Sequence, residues 1–570
     1  MNRREFLGAS AAAAFSNSNA FYSVDALAQT ADSGAYKDVD KRLDRFVEQY
    51  MRALHAPGMT LVLADRDSVQ RVVTYGFSDV ESKARVSPDQ LFQIGSISKS
   101  FVALCLLQLR DEGKLDLNKP VLSYLPWFRL QSSHEPITTH HLLTHTSGLP
   151  GAPPVFLTDP AAKHRAAYAP GQRFHYNNMA FTLLGHLLMS LDHGTLPEIY
   201  RKRIFDPLGM AATEPVITFD QRDRTAKNYF AFQSDRPLTR FARLSEAPAI
   251  VATSAAGCIA STPHDMGLYV RFLARRGESS KQRLLSEESF ALFSQPHIKA
   301  EDFGPTASYG YGIAVDKLDG HTILRHTGGM ISFASALHVD LDEGVGAFAS
   351  VNAMQGYRPN PVAQYAIQLM RAHRGNIPLP AQPIVKSATD VENGSDYAGT
   401  FRSSDGKTLV FAVEGRELFL QHQKRHLALE NAGDGNFIAG APEFSRFVLA
   451  FGRSDAKNPK SPVVEVGWGG DWYVKSDYSG PKAFDYPKEW EAFVGHYRNE
   501  NNWIGSLRIV CRKGQLLADG VAILAPQSDG TFRMQSDEAD TEWIEFHDIV
   551  DGRAERLKLS GEDLWRVLAP

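Results

Sequence analysis

Ser96 and Lys99, in the stretch Phe92-Gln93-Ile94-Gly95-Ser96-Ile97-Ser98-Lys99-Ser100-Phe101, have the spacing at which two side chains share one face of a helix. A serine hydroxyl is a weak nucleophile until a neighbouring base takes its proton, and a lysine desolvated in a dry pocket supplies such a base near neutral pH. The apolar run 101–109, closed by Arg110-Asp111-Glu112-Gly113, predicts a buried helix stopped by glycine, with Ser96 at its N-terminal end. Amides left free there, and the positive end of the helix dipole, favour a developing oxyanion. The same bare spacing recurs at Ser404/Lys407, Ser454/Lys457 and Ser479/Lys482, but those pairs lie among turn residues with no apolar run behind them. Two ordinary surface residues remain the alternative reading of Ser96 and Lys99 at this point.

A nucleophile needs a second proton carrier and amide donors for its tetrahedral intermediate. Tyr176 and Asn178 precede the apolar run 180–188, and His326 begins His326-Thr327-Gly328-Gly329 on a strand-like run, its glycines admitting a substrate backbone. Each pattern is weak alone, since Tyr-x-Asn recurs at Tyr497/Asn499 and His-x-Gly at His373/Gly375.

The elements that must hold these residues read as mixed α and β over 35–374: a helix at 38–54, strands at 58–64 and 69–77 joined by the turn Asp65-Arg66-Asp67-Ser68, and a closing helix at 362–373. Proline and glycine between 375 and 392 mark a linker. Beyond it come short alternating runs with an internal repeat: Tyr397-Ala398-Gly399-Thr400-Phe401 is echoed by Phe493-Val494-Gly495-His496-Tyr497. The spacing predicts two barrel-like all-β domains, 393–485 and 486–570, one larger β domain being the alternative.

The chain has 570 residues, enough for several domains, with 43% hydrophobic and 22% charged residues and a net charge of −4. That balance gives no footprint for nucleic acid. Asn2-Arg3-Arg4-Glu5-Phe6-Leu7-Gly8, an alanine-rich stretch and Ala26-Leu27-Ala28 form a twin-arginine export signal over 1–28, too short and too weakly apolar to span a bilayer, which predicts a periplasmic or secreted protein. A disordered basic tail is the alternative. Cys105, Cys258 and Cys511 are the only cysteines and read as buried thiols. His134, His140, His141 and His145 cluster in sequence without metal-ligand spacing, so no metal is expected there.

Taken in order, Ser96-x-x-Lys99, Leu142-Leu143-Thr144-His145-Thr146-Ser147-Gly148-Leu149, Tyr176-x-Asn178, Phe205-Asp206-Pro207-Leu208-Gly209-Met210, Tyr309-Gly310-Tyr311-Gly312 and His326-Thr327-Gly328 resemble the serine β-lactamase-like family. Over about 40–370 the likeness is to the branch of class C β-lactamases, DD-peptidases, D-aminopeptidases and esterases. It implies an α+β fold, an antiparallel sheet flanked by helices with a helical subdomain and the site at their junction. It further implies that Ser96 attacks, Lys99 and Tyr176 move its proton, Asn178 orients the site, and the amides of Ser96 and Gly329 hold the oxyanion, with His326, Thr327 and Gly328 beside the substrate. The resemblance places His145 in a structural turn and implies that no metal or organic cofactor takes part. Histidine in place of the lysine of class C β-lactamases, and trailing β modules like those of D-aminopeptidases, point to hydrolysis of amide bonds in small peptides, including D- or unusual residues and linearised cyclic peptides. An esterase or β-lactamase with the same nucleophile, and an inactive penicillin-binding-like binder, are the alternatives. Arg325 and Ser332-Phe333 depart from the family pattern and leave the pocket shape open.

Overall fold

The computed structural model describes residues 36–150, 164–232, 235–240, 242–354, 359–501, 503–535 and 541–568. The expected export signal at 1–28 lies outside them.

One antiparallel sheet organises the first two thirds of the chain. Its strands are β1 (Gly58–Asp65), β2 (Val69–Asp79), β3 (Ala84–Arg85), β4 (Ile298–Lys299), β5 (Ser308–Tyr309), β6 (Ala314–Leu318), β7 (His321–Gly329), β8 (Ala334–Asp340) and β9 (Val345–Val351), in the order β4-β5-β6-β7-β8-β9-β1-β2-β3. The helices that bear on the site are α1 (Lys37–Leu54), α2 (Ser98–Asp111), α3 (Thr139–Leu143), α4 (Asn178–Asp192), α5 (Pro263–Ala274) and α6 (Asn360–Arg374).

Alternation along the strands sorts the two faces. Met59, Leu61 and Leu63 of β1 join Ala347 and Ala349 of β9 under α1 and α6. Val62 and Ala64, with Leu337, Val339 and Phe348, pack instead against Met266 and Val270 of α5 and the helical part of the domain. β1 is therefore buried along its whole length. At the centre of the helical part lies α2, buried at every position from Ser98 to Leu109. A helix apolar all round has to be enclosed, and that enclosure takes Lys99 out of water.

Residues 399–474 and 495–566 form two closed antiparallel barrels of eight strands each. The sequence repeat is a repeat of register: Gly399 faces Phe411 and Phe401 faces Leu409 in the first, as Gly495 faces Ile509 and Tyr497 faces Leu507 in the second. Phe401 and Tyr497 occupy the same position in each interior, and closure leaves neither barrel an open edge. All three cysteines are free thiols; Cys105 and Cys258 are buried, but Cys511, on a barrel strand, is only partly so.

Candidate active site

Ser96 sits in a 3-10 turn, Gly95–Ile97, two residues before α2 begins, so its side chain stands at the helix mouth while Lys99 lies in the first turn. Lys99 Nζ is 3.1 Å from Ser96 Oγ, 2.8 Å from Asn178 Oδ1 and 2.8 Å from the Ala256 carbonyl oxygen. Burial pushes its ammonium well below the usual lysine value. As a neutral amine it has two N–H donors and one lone pair. The two oxygens that can only accept, on Asn178 and Ala256, take the donors, which turns the lone pair to the Ser96 hydroxyl.

Tyr176 ends the loop before α4, its ring 4.8 Å from Lys99 Nζ. Asn177 caps α4 by accepting from Ala180 N–H and places Asn178 at the first helical position, facing Lys99. The His326 ring lies 6.1 Å from that of Tyr176. Its Nδ1 is 2.6 Å from the Thr327 carbonyl oxygen and so carries a proton, leaving Nε2 to accept from Tyr309 O–H at 2.9 Å. Tyr309 is completely buried, which raises its pKa well above the ordinary value and keeps that donor in place.

The amide pair for an oxyanion is set by close backbone approach. Met330 N–H donates to Phe333 O, so Gly329, facing Ala334, is a non-hydrogen-bonded position whose N–H points off β8 toward Ser96. Gly95 has φ +54°, and a Cβ there would lie 2.6 Å from Gly329 N. A Cβ at Gly328 would lie 1.8 Å from Ile94 O. Gly328 thus admits the chain's own backbone before Ser96, rather than substrate as the sequence suggested.

A family model described as Beta-lactamase matches residues 43–371, more than half of the chain. The chain belongs to the beta-lactamase family. It is 24% identical over 357 residues to the protein flp of Staphylococcus aureus (strain MW2), covering 59% of this chain and 68% of that one. It is 26% identical over 361 residues to the D-alanyl-D-alanine-carboxypeptidase/endopeptidase AmpH of Escherichia coli (strain K12), covering 59% of this chain and 90% of that one. The structure of the octameric penicillin-binding protein homologue from Pyrococcus abyssi shares the fold, with a TM-score of 0.54 at 22% identity over 77% of this chain and all of that one.

In this member of the beta-lactamase family, Ser96, Tyr176, His326, Thr327 and Gly329 line one cleft of about 620 Å³. Lys99 and Asn178 stand behind it, and Gly328 backs its floor. Phe230, Leu238, Met330 and Phe303 give it apolar walls, and Arg498, Asn499 and Trp503 of the second barrel close one side. Trp503 also packs on the cluster containing Phe92, Met330 and Phe333. Of the departures from the family pattern, Arg325 points away from the cleft, pairing with Asp316 and donating to the Phe303 carbonyl, so it shapes the wall through Phe303. Phe333 is buried edge-on against Phe92, behind the turn that carries Ser96.

Sequence reasoning missed the Ala256 carbonyl, Tyr309 and the barrel wall. A main-chain acceptor has no sequence signature, and Tyr309 was read only as part of a family segment. The Asn499 of the discounted Tyr497-x-Asn499 pair lines the cleft after all, from the far side.

Proposed function

We propose that this serine-hydrolase-family protein is exported and cleaves amide bonds of small peptides through an acyl-enzyme on Ser96. The observation that carries this reading is the fully buried Lys99 Nζ, 3.1 Å from Ser96 Oγ and 2.8 Å from each of two oxygens that can only accept, on Asn178 and Ala256. Lys99 takes the hydroxyl proton as Oγ attacks the substrate carbonyl carbon, and the Ser96 and Gly329 amides stabilise the oxyanion. The intermediate collapses with expulsion of the amine, which receives that proton by way of Lys99 and Tyr176. Water, deprotonated by the same pair, then hydrolyses the ester on Ser96. An amine is a poor leaving group unless protonated, so a proton relay beside the nucleophile favours amides. Histidine at position 326 and the likeness to AmpH support a peptidase. The export signal supports a periplasmic or secreted location, tested by fractionating cells that express the chain with and without Arg3→Lys and Arg4→Lys.

The deciding assay sets the purified chain against D- and L-aminoacyl anilides, short peptides, p-nitrophenyl esters and a chromogenic cephalosporin. Amide hydrolysis that disappears in Ser96→Ala is expected. Ester hydrolysis with every amide untouched would overturn the peptidase reading.

A further inference from the structure

His145 follows α3 with φ +56°, a left-handed conformation that Gly adopts freely and that Asn, Asp and His adopt more often than other residues. Its carbonyl accepts from His175 N–H at 2.8 Å, its Nδ1 accepts from Asn177 N–H at 2.9 Å, and its ring lies 4.4 Å from the Tyr176 ring, tilted by 38°. One residue thus holds 175, 176 and 177 in succession.

The backbone bond to His175 needs no side chain, and a glycine or asparagine would serve the left-handed turn. The imidazole is therefore committed to Asn177 and to the face of Tyr176. An amide N–H always donates, so Nδ1 carries a lone pair and the proton resides on Nε2. An imidazolium would set N–H against N–H. His145 is fully buried, walled by Phe174, Phe181 and Tyr309. The titratable groups around it are Lys99 on α2, His175 and Tyr176 on the loop before α4, Tyr309 on β5 and His326 on β7. Burial above all, with the cationic forms of the neighbouring Lys99, His326 and His175 opposing a further positive charge, holds its pKa well below the ordinary value, so it stays neutral. The cap on α4 and the contact with Lys99 are made by the side chains of Asn177 and Asn178, not by the imidazole, which leaves Tyr176 as the group whose ring it bears on.

We propose that His145 is the positioning residue for Tyr176, fixing the tyrosine's backbone on both sides and its ring face, and acting on acylation only through it. The proposal rests on the reading that Ser96 is the nucleophile and Tyr176 a proton carrier.

The test is a double-mutant cycle between His145 and Tyr176. His145→Asn tolerates the positive φ and puts Oδ1 near the place of Nδ1, keeping the bond to Asn177 while removing the ring from Tyr176. His145→Leu removes both contacts. The readouts are the rate of Ser96 labelling by a fluorophosphonate, and kcat and KM on a p-nitrophenyl ester. In the Tyr176 background the expected losses in labelling and kcat are about tenfold for Asn and about a hundredfold for Leu, with KM within about twofold. In a Tyr176→Phe background neither substitution costs more than about twofold further. Equal losses in both backgrounds, or wild-type rates in the Asn variant, overturn the proposal; if the Leu variant does not fold, the Asn arm alone decides. Label that persists in Ser96→Ala would sink the functional reading instead, and is scored separately.

Discussion

Replacing Lys99 with methionine tests the centre of the argument, because the new side chain has similar length and no lone pair for the Ser96 proton. Lys99 is enclosed by α2 and its neighbours and holds two acceptors, Asn178 Oδ1 and Ala256 O, besides the nucleophile. Loss of a positioned base costs about 10² to 10⁴ in rate. Two buried acceptors left without donors cost about 1–3 kcal/mol each, offset in part because no amine has to be desolvated any longer. Lys99→Met should therefore fold, with a melting temperature lowered by a few degrees, and react with a fluorophosphonate at least about a hundredfold more slowly. The pH dependence gives a second reading. Protonation of Lys99 abolishes the base, so the wild-type rate falls as pH drops through its lowered folded-state pKa. Between that value and the lysine value of 10.5 the unfolded chain binds the extra proton, so this group makes stability rise with pH across that window. Both the acidic limb and that slope should vanish in the variant. Stopped-flow labelling from pH 5 to 9, with urea unfolding at matched pH, measures them. A Lys99→Met protein labelled within tenfold of wild type, or one that keeps the acidic limb, would refute the assignment of Lys99 as base.

Gly95→Ala combines a positive φ with a Cβ 2.6 Å from Gly329 N, so it should push the oxyanion amides apart and lower kcat by about 10² or more with KM little changed; steady-state kinetics on a p-nitrophenyl ester checks this, and a wild-type kcat would contradict the oxyanion geometry. Trp503→Ala removes a half-buried wall residue that packs on the cluster of Phe92, Met330 and Phe333. It should raise KM for short apolar substrates by about tenfold while fluorophosphonate labelling stays within about threefold, since an apolar side chain in a pocket contributes about 1–3 kcal/mol. A fall in labelling with KM constant would place Trp503 in the chemistry rather than the wall.

The fold is legible where periodicity is strong. Two β runs at 58–64 and 69–77 joined by a short polar turn mark strands, though β2 runs on to Asp79, and the shared pattern around Phe401 and Tyr497 marks a repeated barrel that the paired registers display. Ser96, Lys99, Tyr176, Asn178 and His326 are legible as a set through the order of motifs that resembles a known family, since each spacing taken alone recurs elsewhere in the chain. The residues that complete their environment leave less of one. Ala256 contributes a carbonyl any residue could supply. His145 stands in a segment whose family resemblance marks only a turn, and its imidazole meets Asn177 across 32 positions of chain. Arg498 and Trp503 lie more than 400 positions beyond Ser96, and no local pattern announces that a barrel loop will end at the cleft that holds Ser96.

The barrels set the shape of that cleft through more than one contact. Wall residues Asp235 and Leu238 belong to a short loop held by both barrels: Glu430 of the first accepts from the Arg240 amide at 3.0 Å and from Thr239, Ser445 takes Arg236, and Arg508 of the second pairs with Asp235. Glu430 is itself buried, so its carboxylate depends on those donors for solvation, and moving the loop would strand a charge out of water. On the opposite flank, Thr541 of the second barrel lies 2.9 Å from His175 Nε2, next to Tyr176. The cleft is therefore bounded by surfaces that keep their spacing only while the barrels stay docked. On the proposed reading of Ser96 as nucleophile, its substrates would be those that fit between the first domain and its own C-terminal barrel, so the size limit on the substrate would reside in the docking rather than in Ser96.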